Sequence, residues 1–257
     1  MTKTFSLEYT KEKAYQTPEQ GDCSIGVIIV AAGSASRMAG VNKITAKLCG
    51  EPVIVRTLRA FDCINEIKSI VLVTRPDLVC DLQNIVARSE ISKVTDIVPG
   101  GSCRAASVKN GFEVLKKDSE IKTVLIHDGA RPLVSEKVIR NVITAAEEFS
   151  AAIPVVPVKD TIKRVGALGR VEDTPDRTKL VSVQTPQGFS TKCYQSALDR
   201  AGDNIDAFTD DSALVESAGF TVYTVEGDYK NLKITTPEDM AVAEALLRLE
   251  WGQEKCE

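Results

Sequence analysis

The stretch Ile25-Gly26-Val27-Ile28-Ile29-Val30-Ala31-Ala32-Gly33-Ser34-Ala35-Ser36-Arg37 decides the fold. Its first seven residues are an apolar, largely β-branched run without polar alternation, the pattern of a strand buried on both faces. The run ends in a loop of small residues and then a cation. Outward along the chain the pattern recurs. Apolar residues at helical spacing (Val53, Leu58, Phe61) follow Pro52, which suits a helix start. Residues 67–74 read as a second buried strand and 77–87 as a helix with Asp77 at or near its N-cap. A third strand over 94–98 precedes a helix over about 104–116, and a fourth over 123–126 precedes a helix over 136–149 capped by Ser135. Residues 151–158 are the fifth strand. This alternation specifies an α/β protein with a doubly wound, mostly parallel sheet.

The alternation breaks at Lys159. Asp160 to Val165, a Gly-containing stretch, and then Arg170-Val171-Glu172 read as a hairpin with little apolar content. Residues 159–179 are therefore expected to form an arm projecting from the sheet. Such a hairpin is marginal alone, so it is expected to pack on something, most naturally a second subunit. Residues 181–184 return to strand character. Helices follow at about 190–201 and 210–218, a strand at 221–225, and a helix over 237–249 capped by Thr236. With no repeat and no linker, residues 24–250 read as one domain, with 1–23 a solvated extension and 251–257 a tail.

Composition narrows the function. The 257 residues are 43% apolar and 26% charged, an ordinary globular balance. Lys+Arg is 32 and Asp+Glu 36, so the net charge of −4 does not suit a general nucleic-acid binder. The longest apolar stretch, over 26–33, is far short of the roughly 20 residues of a membrane helix, so no membrane partner is expected. Residues 1–23 are polar and carry no apolar segment, so no secretory signal is expected. Seven cysteines, with no CxxC pair, form neither a disulfide framework nor a zinc ribbon. Reduced thiols in a cytoplasmic protein are the simplest reading. The single histidine, His127, excludes a His-rich metal site and confines a Ser-His-Asp hydrolase to one position.

Ligands of open α/β sheets bind beyond the carboxyl ends of the strands. The loop after the first strand lets backbone N–H groups approach a polyphosphate, with Arg37, Lys43 and Lys47 to neutralise it. It is neither a Walker A loop nor a GxGxxG fingerprint, and alone it fits a strand-to-helix turn equally well. Asp128, closing an apolar strand, can hold Mg²⁺ together with phosphate oxygens; alone it reads as a turn aspartate before Gly129. His127 reads as a buried, backbone-bonded imidazole and not as a general base. Gly100-Gly101-Ser102, with Arg104 and Ser107, can frame a base or ribose, or simply open a helix. Nothing marks Cys103 as a nucleophile. Lys233 alternates with Leu232 and Ile234, as an exposed strand lysine does. Asp210-Asp211 read as acids at a helix start capped by Thr209. Cations, one acid, a small-residue loop and no usable histidine suit nucleotidyl transfer. There the nucleophile is a phosphate oxygen, already anionic, and no general base is required.

Several motifs now stand in order: Ala31-Ala32-Gly33 to Arg37-Met38, Asn42-Lys43, Gly100-Gly101 to Arg104 and Ser107-Val108, His127 to Pro132, Lys159 to Lys163, Asp176-Arg177, Gln184-Thr185-Pro186-Gln187, Thr209-Asp210-Asp211 and Asn231 to Thr235. On this ordered set the chain resembles the 2-C-methyl-D-erythritol 4-phosphate cytidylyltransferase family of the non-mevalonate isoprenoid pathway, over about 25–247. The resemblance implies a Rossmann-like, mixed sheet of the nucleotidyltransferase type with a projecting β-hairpin arm. It implies CTP and the methylerythritol phosphate as substrates, Mg²⁺ as cofactor, and a homodimer with shared sites. Arg37 and Lys43 would grip the triphosphate and stabilise the transition state. Ala31, Ala32, Gly33, Gly101 and Ser107 would line the cytidine site. Asp128 would sit by the metal, with Arg131 supporting the polyol-phosphate pocket. Thr161, Arg177 and Lys233 would hold the methylerythritol phosphate, Thr161 and Arg177 from the neighbouring subunit. Ala35 stands where the family commonly has Gly, and Ile44-Thr45 where it has Gln and an aromatic; Lys47 stays open as a substitute for Lys43. Two other readings stand beside this one: a ribitol 5-phosphate cytidylyltransferase, and a CTP-binding module without catalysis. A nicotinamide-dependent dehydrogenase fits the alternation but lacks the glycine fingerprint.

Overall fold

The computed structural model describes residues 24–33 and 42–254. Arg37, Ala35, the expected extension over 1–23 and the end of the expected tail lie outside the described residues. The elements run β1 (Ile25–Ala31), a small hairpin of β2 (Lys47–Leu48) and β3 (Glu51–Pro52), α1 (Val53–Asp62), β4 (Ile67–Thr74), α2 (Val79–Ala87), β5 (Val94–Pro99), α3 (Arg104–Leu115), β6 (Thr123–Asp128), α4 (Glu136–Phe149) and β7 (Ala151–Pro157). After these come β8 (Arg164–Val165), β9 (Val171–Asp173), β10 (Val181–Val183), β11 (Gln187–Ser190), α5 (Thr191–Ala201), α6 (Asp211–Ser217), β12 (Tyr223–Glu226) and α7 (Pro237–Glu254).

The main sheet has eight strands. From one edge the order is β5, β4, β1, β6, β11, β7, with β10 and β12 also pairing β7. β5, β4, β1 and β6 pair in parallel, and β12 pairs β7 in parallel. β11 runs antiparallel between β6 and β7, which makes the sheet mixed. One face buries Val27, Ile29 and Leu72 under α1 and α4, through Leu58, Phe61, Val138 and Val142. The other buries Ile28, Val71 and Val73 under α3, α5 and α6, through Phe112, Tyr194 and Leu214. Helix α3 comes this close because Gly111 has no side chain. A Cβ there would stand 2.8 Å from Ile28 Cγ2 and 2.8 Å from Val73 Cγ2.

Ser135 caps α4 as expected, its hydroxyl accepting from the Val138 N–H. Thr236 caps α7: its hydroxyl accepts the Asp239 N–H, and the Asp239 carboxylate accepts from the Thr235 and Thr236 N–H groups, a reciprocal capping arrangement. Several expectations need correction. Asp77 stands one residue before the cap of α2, which is Leu78: it lies in a 3₁₀ turn, Pro76–Leu78, and its carboxylate pairs with Arg75. The cap of α6 is Asp210 and not Thr209, since the Asp210 carboxylate accepts the Ala213 N–H at 2.9 Å. Lys233 is not on a strand; residues 231–235 have no regular structure. The expected strand over 181–184 is only the first of two, because β11 follows it.

The 159–179 segment carries the β8–β9 hairpin, which among the described residues pairs only with itself. Its apolar residues Val165, Leu168 and Val171 are 59%, 106% and 53% exposed. Arg177 anchors its base, donating from Nη1 to the Lys159 carbonyl at 2.9 Å.

Candidate active site

The carboxyl ends of β1 and β6 and the loop leading from β5 into α3 meet around a cleft of about 370 Å³. Ala31, Ala32, Gly33, Lys43, Gly101, Ser107, Asp128 and Lys233 line it, as do Ile44 and Arg104. Eight of the residues to which the resemblance gives a site role therefore share one cavity. Arg131 does not line it but pairs with Asp128, which does. Thr161 and Arg177 do not line it; both are exposed on the arm. Arg37 lies outside the described residues. Lys43 faces the cleft, whereas Lys47 is exposed on β2 and does not line it.

The wall that would face a nucleotide is built from backbone. A Cβ on Gly100 would stand 2.5 Å from Ala32 Cβ and 2.8 Å from Ser107 Oγ, so the turn must be glycine to pack on β1 and α3. The Gly101 N–H donates to Ser107 Oγ at 3.0 Å, and that hydroxyl donates to the Cys103 carbonyl at 2.9 Å. Ser107 thus secures the turn. Cys103 caps α3 through its sulfur, which accepts the Ala106 N–H, so its role is structural. Opposite, Asn42 Oδ1 accepts the Ile44 N–H at 3.1 Å. Ile44 is 3% exposed and belongs to the core.

Asp128 is the charge centre. Its Oδ2 lies 3.0 Å from Lys233 Nζ and 3.3 Å from Arg131 Nε, and its Oδ1 lies 3.8 Å from Arg104 Nε. Burial pushes its carboxyl up. The three cations outweigh this and hold it well below the usual carboxylate range. Arg104 is in turn tied to Asp211, with Nη1 2.6 Å from Oδ2. Burial opposes the guanidinium charge, but Asp211 and Asp128 prevail and keep Arg104 protonated.

His127 is fully buried, and burial lowers its pKa to about 4. Its Nε2 lies 3.1 Å from the Arg131 carbonyl and its Nδ1 3.0 Å from Thr185 Oγ1. A carbonyl can only accept, so Nε2 carries the proton and Nδ1 accepts from the threonine. Thr185 Oγ1 also accepts the Asp128 N–H at 3.1 Å. His127 is therefore a neutral strut beneath Asp128.

The segment 184–187 is the scaffold that sequence reasoning matched without a role. Gln184 exchanges two hydrogen bonds with the Asp228 backbone. Asn231 Nδ2 donates to the Thr185 carbonyl at 2.8 Å, and the Asn231 carbonyl accepts from Arg131 Nη1 at 2.7 Å. Gln187 donates to Asp210 at 2.8 Å and accepts the Ser212 N–H at 2.9 Å. One segment thus fixes the loop carrying Lys233, the strand end carrying Asp128, and the helix start carrying Asp211.

A family model described as 2-C-methyl-D-erythritol 4-phosphate cytidylyltransferase matches residues 25–249. The chain belongs to this family. It is 46% identical over 228 residues to a protein of that name from Caldanaerobacter subterraneus, covering 88% of this chain and 99% of the other. It is 44% identical to one from Bacillus cereus, covering 87% and 98%. The crystal structure of 4-diphosphocytidyl-2C-methyl-D-erythritol synthase from Anaerococcus prevotii superposes with a TM-score of 0.77 at 32% identity, covering 87% of this chain and 96% of that one. A 2-C-methyl-D-erythritol 4-phosphate cytidylyltransferase structure from Thermus thermophilus gives 0.69 at 33% identity, covering 88% and 99%. As a member of the cytidylyltransferase family the chain is an enzyme, a nucleotidyltransferase with the expected mixed α/β fold.

The metal that this family membership implies meets a thin donor set. Among the described residues no group of three His, Cys, Asp or Glu could hold an ion. Asp128 is the carboxylate lining the cleft, and its Oδ2 is engaged by Arg131 and Lys233. That fits Mg²⁺, which takes one or two protein carboxylates and fills its shell with phosphate oxygens and water. It does not fit a cage built wholly of protein ligands.

Proposed function

We propose that this protein joins CTP to 2-C-methyl-D-erythritol 4-phosphate, giving the CDP-alcohol and pyrophosphate. The observation carrying this reading is one cleft that combines a backbone-lined wall with Lys43, Arg104 and the Asp128–Lys233 pair. A phosphate oxygen of the acceptor attacks the α-phosphorus in line, the bond to the β-phosphate oxygen breaks, and pyrophosphate leaves. Because that oxygen is anionic at neutral pH, no protein base is needed, consistent with His127 being sealed under the site.

Ala31, Ala32, Gly33, Gly101 and Ser107 receive the cytidine. Small residues there let main-chain groups approach base and ribose closely. Arg37 and Lys43 hold the triphosphate and stabilise charge growing on the α-phosphate. Lys233 binds the acceptor phosphate, and Arg131 with Asp128 fixes its direction. Asp128 would hold Mg²⁺, which when bound neutralises phosphate charge and polarises the transferring group.

Thr161 and Arg177 are assigned to the polyol phosphate in a neighbouring subunit's site, in a homodimer. The apolar surface of Val165, Leu168 and Val171, exposed on a hairpin that among the described residues pairs only with itself, supports this. We read residues 24–250 as one catalytic unit and 159–179 as its dimerisation arm. The described cysteines are all unpaired, which supports a reducing, cytoplasmic setting. No described helix is long and apolar enough to cross a membrane.

The test is pyrophosphate release from CTP and Mg²⁺, run in parallel with methylerythritol phosphate and ribitol 5-phosphate. Release with the first alone is expected. Release with the second alone would reassign the acceptor, and CTP binding without release would leave a binding module.

A further inference from the structure

We propose that Asp211 is a positioning residue, aiming the Arg104 guanidinium at the nucleotide wall of the cleft. This rests on the cytidylyltransfer reading. Arg104 lines the cleft in the first turn of α3, between Gly101 and Ser107 in sequence. Asp211 does not line it and is 2% exposed. Its two oxygens have separate uses. Oδ2 takes Arg104 Nη1 at 2.6 Å, and Oδ1 accepts the Tyr194 hydroxyl at 2.8 Å. Tyr194 is fully buried under α6. Asp210 caps the same helix and is held by Gln187. The anchor therefore belongs to the core, while the group it holds belongs to the site.

The geometry divides charge between two carboxylates. Arg104 is hydrogen-bonded to Asp211, whereas its Nε lies 3.8 Å from Asp128, beyond hydrogen-bond range. That leaves Asp128 Oδ2 to Lys233 and Arg131. Without the Asp211 charge, the nearest anion to Arg104 is Asp128. The guanidinium then moves toward Asp128, out of the place Asp211 gives it in the cleft, and competes there with Lys233.

The experiment is a kinetic cycle with Asp211→Asn, Arg104→Ala and the double variant. Asp211→Asn is expected to raise KM for CTP on the order of tenfold, about the worth of one hydrogen bond to a charged group. KM for the polyol phosphate should stay near the wild-type value. In the Arg104→Ala background, Asp211→Asn should add nothing to KM for CTP, because its effect passes through the arginine. A wild-type KM in Asp211→Asn, or effects that multiply in the double variant, would overturn the proposal. If Asp211→Asn does not fold, Tyr194→Phe, which removes only the hydroxyl donated to Asp211, takes its place with a smaller shift in the same direction. Titration calorimetry with CTP alone repeats the comparison as Kd. A wild type that binds CTP without releasing pyrophosphate would thus refute the transfer reading and still decide the role of Asp211.

Discussion

Lys233 Nζ stands 3.0 Å from Asp128 Oδ2, joining a loop without regular structure to the end of a central strand. The lysine side chain is 40% exposed and the carboxylate 10%. A half-exposed ammonium contributes little to stability, about 0–1 kcal/mol. Its value lies in being ready for an incoming phosphate. Lys233→Ala should lower kcat/KM for the polyol phosphate on the order of 10- to 100-fold, the worth of one charge-assisted hydrogen bond. Steady-state kinetics beside a thermal melt check this; a large drop in melting temperature with intact kinetics would reverse the assignment.

Removing the Asp128 charge should have the opposite balance. Asp128→Asn leaves Lys233, Arg131 and Arg104 without their shared anion, and about 3–5 kcal/mol of stability should be lost at neutral pH. The folded-state pKa of Asp128 is depressed. Its contribution is therefore complete above the ordinary carboxylate pKa of about 3.9 and disappears as pH falls through the folded value. Urea midpoints between pH 7 and pH 3 should fall more steeply for the wild type than for Asp128→Asn. Parallel curves would show that the carboxylate is not held by its cations.

His127, the single histidine, is a probe that needs no assignment. Its folded pKa is lowered to about 4. The ring should stay neutral, in the Nε2–H form, with NMR signals that do not move between about pH 5.5 and pH 8. Because the unfolded ring titrates near pH 6.5, the folded state loses stability as pH falls from there toward pH 4. A histidine titrating near neutrality in the folded protein would contradict the buried geometry.

Gly100→Ala tests the nucleotide wall. The new Cβ would meet Ala32 Cβ at 2.5 Å and Ser107 Oγ at 2.8 Å. The turn must shift, at a cost of about 1–3 kcal/mol, and CTP affinity should fall with it. Calorimetry of CTP binding together with a thermal melt would detect both changes.

The arm is tested by mixing. Arg177→Ala should raise KM for the polyol phosphate, and Lys43→Ala should abolish turnover. Heterodimers of the two variants should regain part of the activity, because one of the two sites then keeps both residues. Confirmed mixed dimers without recovery would place Arg177 in its own chain's site.

Much of this was readable in the sequence, for physical reasons. Strands buried on both faces, such as Ile25–Ala31 and Ile67–Thr74, are unbroken apolar runs, and they were legible for that reason. Strand β11 was not, because Gln187-Gly188-Phe189-Ser190 has no such run. It is a strand because β6 and β7 pair with it on both sides. The gathering of Gly101, Ser107 and Asp128 followed from the rule that ligands bind at strand ends. The Asp211–Arg104 contact did not, since an acid pair at a helix start has a complete local explanation. The role of Gln184 to Gln187 was hidden likewise, because each hydrogen bond reaches a residue distant in the chain.

The charges at this site have one further consequence. His127 ionises near pH 4, Asp128 well below that, and Arg104 well above neutrality. None of these three changes its proton count between mild acid and mild base. A phosphate monoester does, with a second ionisation near pH 6. An inflection in turnover at that pH would therefore report a substrate phosphate, the acceptor's or the terminal one of CTP, losing its last proton, and replacing His127 would not move it.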